Sequence, residues 1–221
     1  MRLLAFETAT RRLSVALWID GQVRERDFDS TTGGSEWLLP AARALLADAG
    51  VALSDLDCLA FGRGPGAFTG LRLAAGCVQG LAFGLDLPVI GVSSLEAVAE
   101  CSGESRVYAC LDARMHEVYV AAYSDGVEVM APTVVAPAMA PVPPGDGWVG
   151  CGDAFAVYPN DLPGFERTRP DLLPTAVAVA RLAVARWSNG SRSSAIEAVP
   201  LYVRNKVALT TAERIARGGM R

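Results

Sequence analysis

Residues 2–23, RLLAFETATRRLSVALWIDGQV, decide the fold, because their pattern returns at residues 107–128 as VYACLDARMHEVYVAAYSDGVE. The two segments align without a gap at a constant spacing of 105 residues. Each contains an apolar strand that ends in an acid, a polar turn, an alternating strand and an Asp-Gly turn of the hairpin type. The two acids are Glu7 and Asp112. This repeat predicts a duplicated fold in which each half opens with a hairpin.

Helix and strand patterns alternate after the first hairpin. A helix is predicted within residues 35–50, with Ser35 as its N-cap and Gly50 as its end. Pro40 would break an α-helix that began at Ser35, so we expect a late start or a kink. The other predicted elements are strands at 58–61 and 88–92 and helices at 69–84, 94–101 and 175–187.

This alternation predicts an α/β fold with parallel strands in mixed sheets flanked by helices. The second half starts near Arg106, and its residues 131–147 are proline-rich and predicted to be mostly loop. We therefore expect an N-terminal subdomain at 1–103 and a C-terminal, reduced subdomain at 104–221.

Composition excludes several classes of chemistry. His116 is the only histidine and Lys206 the only lysine, which argues against histidine-based metal clusters and lysine-dependent phosphate binding. The net charge of −4 is opposite to that of most proteins that bind nucleic acids alone. If RNA is involved, we expect another subunit to hold most of it.

The cysteines and the apolar stretches favour a cytoplasmic protein. The chain has five cysteines, an odd number without C-x-x-C spacing, which favours buried thiols over disulfides or a zinc site. The N-terminus starts as a strand and lacks a signal-peptide pattern. The most apolar stretch, 73–85, is shorter than the roughly 20 residues of a transmembrane helix, so we expect no membrane span.

A glycine-rich loop at residues 62–72 reads GRGPGAFTGLR and lies between a predicted strand and a predicted helix. This loop closely resembles the signature of the TsaB (YeaZ) family. Further matches to that family are LLAFETAT near the start, LDARMHEVYVAAY and PVIGVSSLEAVA in the middle, and PLYVRNKVA near the end. The resemblance covers nearly the whole chain.

The resemblance implies both a fold and a function. It implies the duplicated actin-like fold of the actin/Hsp70/sugar-kinase superfamily. TsaB proteins are shortened, non-catalytic paralogues of TsaD, with which they form N6-threonylcarbamoyladenosine at position 37 of tRNAs that read ANN codons. The implied partners are a TsaD-like catalytic subunit, a TsaE-like ATPase in the larger complex and tRNA indirectly, with a homodimer when the chain is alone.

Three departures from the family pattern limit what is carried over. The acid that ends the first strand is usually Asp and is Glu7 here. Gly34 stands where the family often has histidine, so no role rests on that position. The catalytic paralogue uses a histidine-bearing metal motif, and this chain has no histidine before residue 116. The resemblance therefore implies a catalytically inert subunit that holds no metal.

The hairpin turns and the glycine-rich loop are the candidate nucleotide cleft. In the actin-like fold the two hairpins face each other, so Glu7 and Asp112 are candidates to orient a Mg-bound nucleotide. Their alternative role is to cap the hairpin turns. Because the second half is short, we expect ATP or ADP to bind weakly or at an interface, and not as a required cofactor. The cleft candidates are Glu7, Thr8, Thr10, Arg63, Gly64, Gly66 and Asp112.

The loop admits two other interpretations. Gly62, Gly64 and Ala67 fit the G-x-G-x-x-[GA] fingerprint of an NAD(P)-binding oxidoreductase. Pro65 removes a backbone donor where the pyrophosphate would lie, which disfavours that alternative. A peptidase-like enzyme is a second alternative, disfavoured because the sequence offers neither metal ligands nor an evident catalytic triad. The loop also fits a tight turn that starts a packed helix.

The partner surface is predicted on the first two long helices. Gly76, Gly80 and Gly84 recur every four residues and form one ridge without side chains, against the helix propensity of glycine. The ridge fits close packing of another helix, which is either this chain's own or a partner's. The resemblance favours a partner, because TsaB and TsaD pair through their N-terminal helices. The remaining interface candidates, expected to be exposed apolar side chains, are Trp37, Leu38, Leu45, Phe68, Leu73, Cys77 and Leu81.

The last 18 residues are basic. Arg204, Lys206, Arg214, Arg217 and Arg221 stand against Glu213 alone. Such a tail fits contact with tRNA or with an acidic partner face, and it also fits a solvated terminus.

Overall fold

The computed structural model describes residues 1–30 and 35–204 and contains two five-stranded sheets. The strands of the first sheet are β1 (Arg2–Glu7), β2 (Arg12–Ile19), β3 (Gln22–Asp29), β4 (Cys58–Gly64) and β5 (Val89–Ser93), in the spatial order β3-β2-β1-β4-β5. The first three strands pair antiparallel, whereas β1, β4 and β5 pair parallel. The first sheet is therefore mixed, as predicted.

The second sheet repeats this arrangement. Its strands are β6 (Arg106–Arg114), β7 (Glu117–Ser124), β8 (Val127–Val135), β9 (Val149–Cys151) and β10 (Arg167–Arg169). Their spatial order, β8-β7-β6-β9-β10, matches that of the first sheet strand for strand. Both predicted Asp-Gly turns have positive φ at the Asp and at the Gly, which two-residue hairpins of type I′ require. The predicted duplication and its actin-like fold class are confirmed.

The gap-free alignment of the two hairpins is wrong by one residue. Glu7 pairs with Ser14, seven positions on, whereas Asp112 pairs with Val118, six positions on. The second turn is shorter, and the ladder is irregular between Asp112 and Arg114. Its residues Arg114, Met115 and His116 all adopt positive φ, which is a strained backbone conformation for residues other than glycine.

The helices are α1 (Leu38–Ala49), α2 (Phe68–Leu85), α3 (Ser94–Ser102), α4 (Ala154–Val157) and α5 (Ala176–Ser188). A short 3-10 turn over Ser35–Trp37 precedes α1, which therefore begins late. Pro40 then lies in the first turn, where backbone N–H groups have no acceptor within the helix. Gly50 ends α1 in the left-handed conformation, as predicted.

The helices fill three layers around the two sheets. One face of the first sheet packs on α1 and α2, and its other face packs on α5. Helix α3 packs on the second sheet and contacts α5, so both helices lie between the sheets. The division at 1–103 and 104–221 stays a prediction: it separates the strands of the two sheets, but α3 and α5 each pack on the sheet of the other segment.

Helix α2 is longer than the apolar stretch at 73–85 and begins five residues before it. With 18 residues, it is the one helix in 1–30 and 35–204 that has the length and composition of a membrane span. Its residues Leu71, Ala74, Ala75, Val78 and Ala82 face the core, at the spacing of an amphipathic helix. Core helices of globular domains pass the same test of length and composition.

The second half departs from the predicted elements in two places. Strand β8 runs through Ala131 and Pro132, which were expected in a loop, because an edge strand tolerates the missing N–H of a proline. The short elements β9, α4 and β10 were not predicted. They pack around a cluster of aromatic rings formed by Tyr108, Phe155 and Phe165.

Candidate functional site

Glu7 ends β1 inside the protein. Its side chain is fully buried; Oε1 accepts a hydrogen bond from the Ala9 N–H at 2.7 Å, and Oε2 accepts one from the Ser94 hydroxyl at 3.0 Å. Burial raises the pKa of Glu7 to about 7, and these hydrogen bonds oppose that rise. The carboxyl group therefore links β1 to the start of α3.

The glycine-rich loop packs against the turn between β1 and β2. A Cβ built on Gly66 would lie 2.5 Å from the Ala9 carbonyl oxygen, and one built on Gly70 would lie 1.9 Å from that of Thr8. The Thr8 hydroxyl donates to the Gly70 carbonyl at 2.7 Å, and the Ala67 N–H donates to the Ala9 carbonyl at 2.7 Å. These glycines permit close approach of two backbones within the chain.

Asp112 stabilises the second hairpin turn. Oδ1 accepts hydrogen bonds from the Arg114 N–H at 2.9 Å and from the Tyr158 hydroxyl at 3.0 Å, while Oδ2 lies 3.1 Å from the Arg114 guanidinium. The Asp112 N–H donates to Asp153 Oδ1 at 3.0 Å. Burial raises the pKa of Asp153 above its usual range. Tyr158 also contacts the His116 ring edge-to-face at 5.3 Å, which braces the strained turn.

A cleft of about 290 Å³ lies between the two hairpin turns. Thr10 and Arg11 of the first turn and Asp112–Met115 of the second turn line it. Gly66, Ala67 and Phe68 form another part of the lining, and residues 201–204 complete it. The cleft therefore contains three of the predicted nucleotide residues, Thr10, Gly66 and Asp112.

The outer face of α2 carries the glycine ridge. A Cβ built on Gly76, Gly80 or Gly84 meets no heavy atom of the described residues within 4 Å. A groove of about 400 Å³ runs along the ridge and is lined by Leu39, Arg72, Leu73, Gly76, Cys77, Gly80 and Leu81. Only 28% of α2 is buried. The outer face of this apolar helix, with its glycine ridge, is thus exposed.

Known proteins resemble this chain closely. Residues 32–142 match the family described as "TsaD: tRNA N6-adenosine threonylcarbamoyltransferase". The chain is 38% identical to the Escherichia coli "tRNA threonylcarbamoyladenosine biosynthesis protein TsaB", over 94% of this chain and 96% of that protein. It is 35% identical to the Haemophilus influenzae protein of that name, over 94% and 95%. The solved structure "YeaZ from Pseudomonas aeruginosa" is 40% identical, with a TM-score of 0.85 over 91% of this chain and 99% of that chain.

The chain belongs to the TsaB (YeaZ) family. This membership confirms the resemblance that the loop at residues 62–72 indicated. It disfavours the NAD(P)-binding alternative, and so does the loop geometry, because Gly62 and Gly66 approach Glu7 and Ala9 of the chain itself. The loop is a packed turn at the start of α2, and the Ala67 N–H that an anion would need is already bonded.

The expectation that Glu7 and Asp112 face each other across a nucleotide cleft is wrong in this TsaB-family structure. Glu7 is turned into the core, where Gly62 leaves room for its longer side chain, and only Asp112 lines the cleft. Both oxygens of Asp112 are engaged within the turn. The two acids thus fit the alternative role of stabilising the turns.

The other cleft candidates have structural contacts. Thr8 is buried, Arg63 is exposed and accepts a backbone hydrogen bond from Leu201, and Gly64 packs against Leu71. In the parts of the chain that the structure describes, no group of three His, Cys, Asp or Glu residues has the arrangement of a metal site. The five cysteines are free thiols, as expected, and burial raises the pKa of each.

Two of the predicted interface residues are buried. Leu38 and Leu45 belong to the buried core, together with Ala42 and Leu46. Their positions follow the 3.6-residue period of a core-facing helix, and this signal was available in the sequence. Trp37 and Phe68 are exposed as expected, and Leu73, Cys77 and Leu81 are partly buried beside the ridge.

Sequence reasoning missed two exposed apolar residues. Leu39, the neighbour of Leu38, is 47% exposed and lines the groove. Phe83 on the outer side of α2 is 86% exposed. An unusually exposed aromatic ring beside the glycine ridge extends the apolar face toward the C-terminal end of α2. The candidate interface therefore consists of α2 and the start of α1, without Leu38 and Leu45.

Proposed function

We propose that this chain binds a TsaD-like catalytic subunit and supports its formation of N6-threonylcarbamoyladenosine at position 37 of tRNAs that read ANN codons. The E. coli and H. influenzae relatives are named as tRNA threonylcarbamoyladenosine biosynthesis proteins, which supports a role in this modification. The match of residues 32–142 to the TsaD family is consistent with a paralogue of the catalytic subunit.

The outer face of α2 carries the proposal. Gly76, Gly80 and Gly84 each lower helix stability by roughly 1 kcal/mol relative to alanine. Because their Cβ positions point into open space among the described residues, packing within the chain does not compensate this cost. Close approach of a partner helix compensates it, since backbone then meets backbone. The same face forms a homodimer when the catalytic subunit is absent.

The proposed role is non-catalytic. Among residues 1–30 and 35–204, the acids of the two hairpin turns are engaged in internal hydrogen bonds, and the His116 ring contacts Tyr158. The subunit therefore acts through its surface, in the cytoplasm, in a complex that also contains a TsaE-like ATPase. It contacts tRNA indirectly. Apart from Arg204, the basic tail lies outside the described residues, and its role in RNA binding stays a prediction.

Reconstitution tests this function. The purified chain, the TsaD-like subunit and the TsaE-like ATPase are combined with threonylcarbamoyl-adenylate and tRNA, and the modified adenosine is measured by mass spectrometry. We expect no product from this chain alone and a large stimulation when it joins the TsaD-like subunit. Product formed by the isolated chain would overturn the non-catalytic role, and a TsaD-like subunit that is equally active without it would overturn the supporting role.

A further inference from the structure

Residues 201–204 line the cleft, and the first two of them contact the first half of the fold. The Leu201 N–H donates to the Arg63 carbonyl oxygen at 2.7 Å. The Tyr202 ring lies 5.9 Å from the Phe68 ring, and the Arg72 Nε donates to the Tyr202 hydroxyl at 3.2 Å. The Arg72 guanidinium also lies over the Phe68 ring at 3.9 Å. One end of this segment is thus held by β4 and the start of α2.

The other end of the segment is held by the second hairpin. Val203 packs against the core between α3 and the second sheet. The Arg204 guanidinium donates to the Ala113 carbonyl oxygen at 3.0 Å and forms a salt bridge with Glu117. It also lies 3.7 Å from the Met115 sulfur. These contacts join Arg204 to residues 87 to 91 positions earlier in the chain. Those residues lie in and beside the strained turn that lines the cleft.

We propose that residues 201–204 form a strap that occupies the cleft and joins the start of α2 to the second hairpin turn, so that the cleft opens only after the strap is displaced. All four residues line the cleft. The space left beneath the strap, about 290 Å³, is at the lower limit of the roughly 300–1,000 Å³ that small-molecule sites occupy. The chain's own segment therefore fills the cleft, and its release frees the second turn from the start of α2.

Hydrogen exchange of the full-length chain, followed by mass spectrometry, tests the strap. The variant Y202A/R204A removes the ring contact and the salt bridge. We expect the amides of Leu201 and of residues 113–117 to exchange roughly tenfold faster or more, because local opening at both ends of the strap becomes easier. The amides of α5 should keep their wild-type protection. Ile196→Ala is the matched control, because it truncates an exposed side chain upstream in the same connection.

Exchanging the charges of the salt bridge between Arg204 and Glu117 tests the strap in a second way. Arg204→Glu should increase exchange at 113–117, because two carboxylates then face each other, and adding Glu117→Arg should restore protection toward the wild-type level. Unchanged exchange in Y202A/R204A would overturn the strap. A uniform increase that includes α5 would also overturn it, since residues 201–204 would then support overall stability and not the cleft. If Glu117→Arg fails to restore protection, the salt bridge between Arg204 and Glu117 does not hold the strap to the second turn.

Discussion

Gly62 lies directly against the buried carboxyl group of Glu7: a Cβ built on this glycine would lie 1.9 Å from Glu7 Oε2. The same oxygen accepts the hydrogen bond from Ser94, 3.0 Å away. Three elements, β1, β4 and α3, thus meet at one carboxyl group. The glycine is needed at this position because Glu7 is fully buried and cannot swing into solvent.

Gly62→Ala should destabilise the protein by about 3 kcal/mol, the upper range for overpacking a buried site. Urea unfolding measures the change. Gly164→Ala is the control, because Gly164 is exposed and a Cβ there meets no heavy atom of the described residues. In a Glu7→Asp background the shorter side chain withdraws from Gly62, so the cost of Gly62→Ala should shrink. An equal cost in both backgrounds would show that the glycine does not accommodate Glu7.

Glu7 should make the protein less stable as pH rises toward neutrality. Burial raises the pKa of Glu7 to about 7 from a usual 4.5, so the folded state keeps a proton that the unfolded state releases between these values. Its contribution is fully present below pH 4.5 and is lost as pH rises to 7, about 3 kcal/mol in all.

Glu7→Gln should remove this dependence. The amide can accept from the Ala9 N–H and donate to Ser94 without ionising, so the variant should be more stable than wild type at pH 8. The free energy of unfolding in urea, measured at pH 5 and pH 8 for both proteins, checks the prediction. A Gln variant with the same difference between the two pH values as wild type would contradict it.

The isolated chain should bind MgATP only weakly. Asp112 is engaged by Arg114 and Tyr158, and Glu7 lies in the core, so neither offers a free carboxylate to Mg²⁺. Calorimetry should give millimolar affinity or weaker, about −4 kcal/mol at best. Asp112→Ala should leave this weak binding unchanged. A micromolar, Mg-dependent site that disappears in Asp112→Ala would restore the nucleotide cleft.

The sequence predicts the local features of this fold better than its long-range ones. The Asp20-Gly21 and Asp125-Gly126 turns and the Gly50 cap follow from backbone preferences of single residues. Which sheet a helix covers depends on packing between distant segments. No local sequence signal therefore shows that α3 packs on the second sheet and α5 on the first. Likewise, Arg204 was assigned to a basic tail because the sequence shows its charge but not its pairing with Glu117, 87 positions earlier.

The predicted sites divide in the same way. The glycine spacing in α2 was sufficient to place Gly76, Gly80 and Gly84 on one face, because this follows from helical periodicity alone. That the face is exposed follows only from the structure. The role of the acids stayed open, because a carboxylate at the end of a strand points either into a cleft or into the core. Only the packing of Gly62 against Glu7 separates these two orientations.

The affinity of this chain for the TsaD-like subunit, compared between Gly80→Leu and Gly164→Leu, tests the central claim most directly. A leucine at position 80 meets open space in the free chain, so the variant should fold as well as wild type and gain up to about 1 kcal/mol of helix stability. At the interface the same side chain should separate the two helices and weaken binding by roughly a hundredfold or more, about 2.7 kcal/mol. Gly164→Leu, on the second half, should bind as wild type. A folded Gly80→Leu protein that binds the TsaD-like subunit with wild-type affinity would contradict the account.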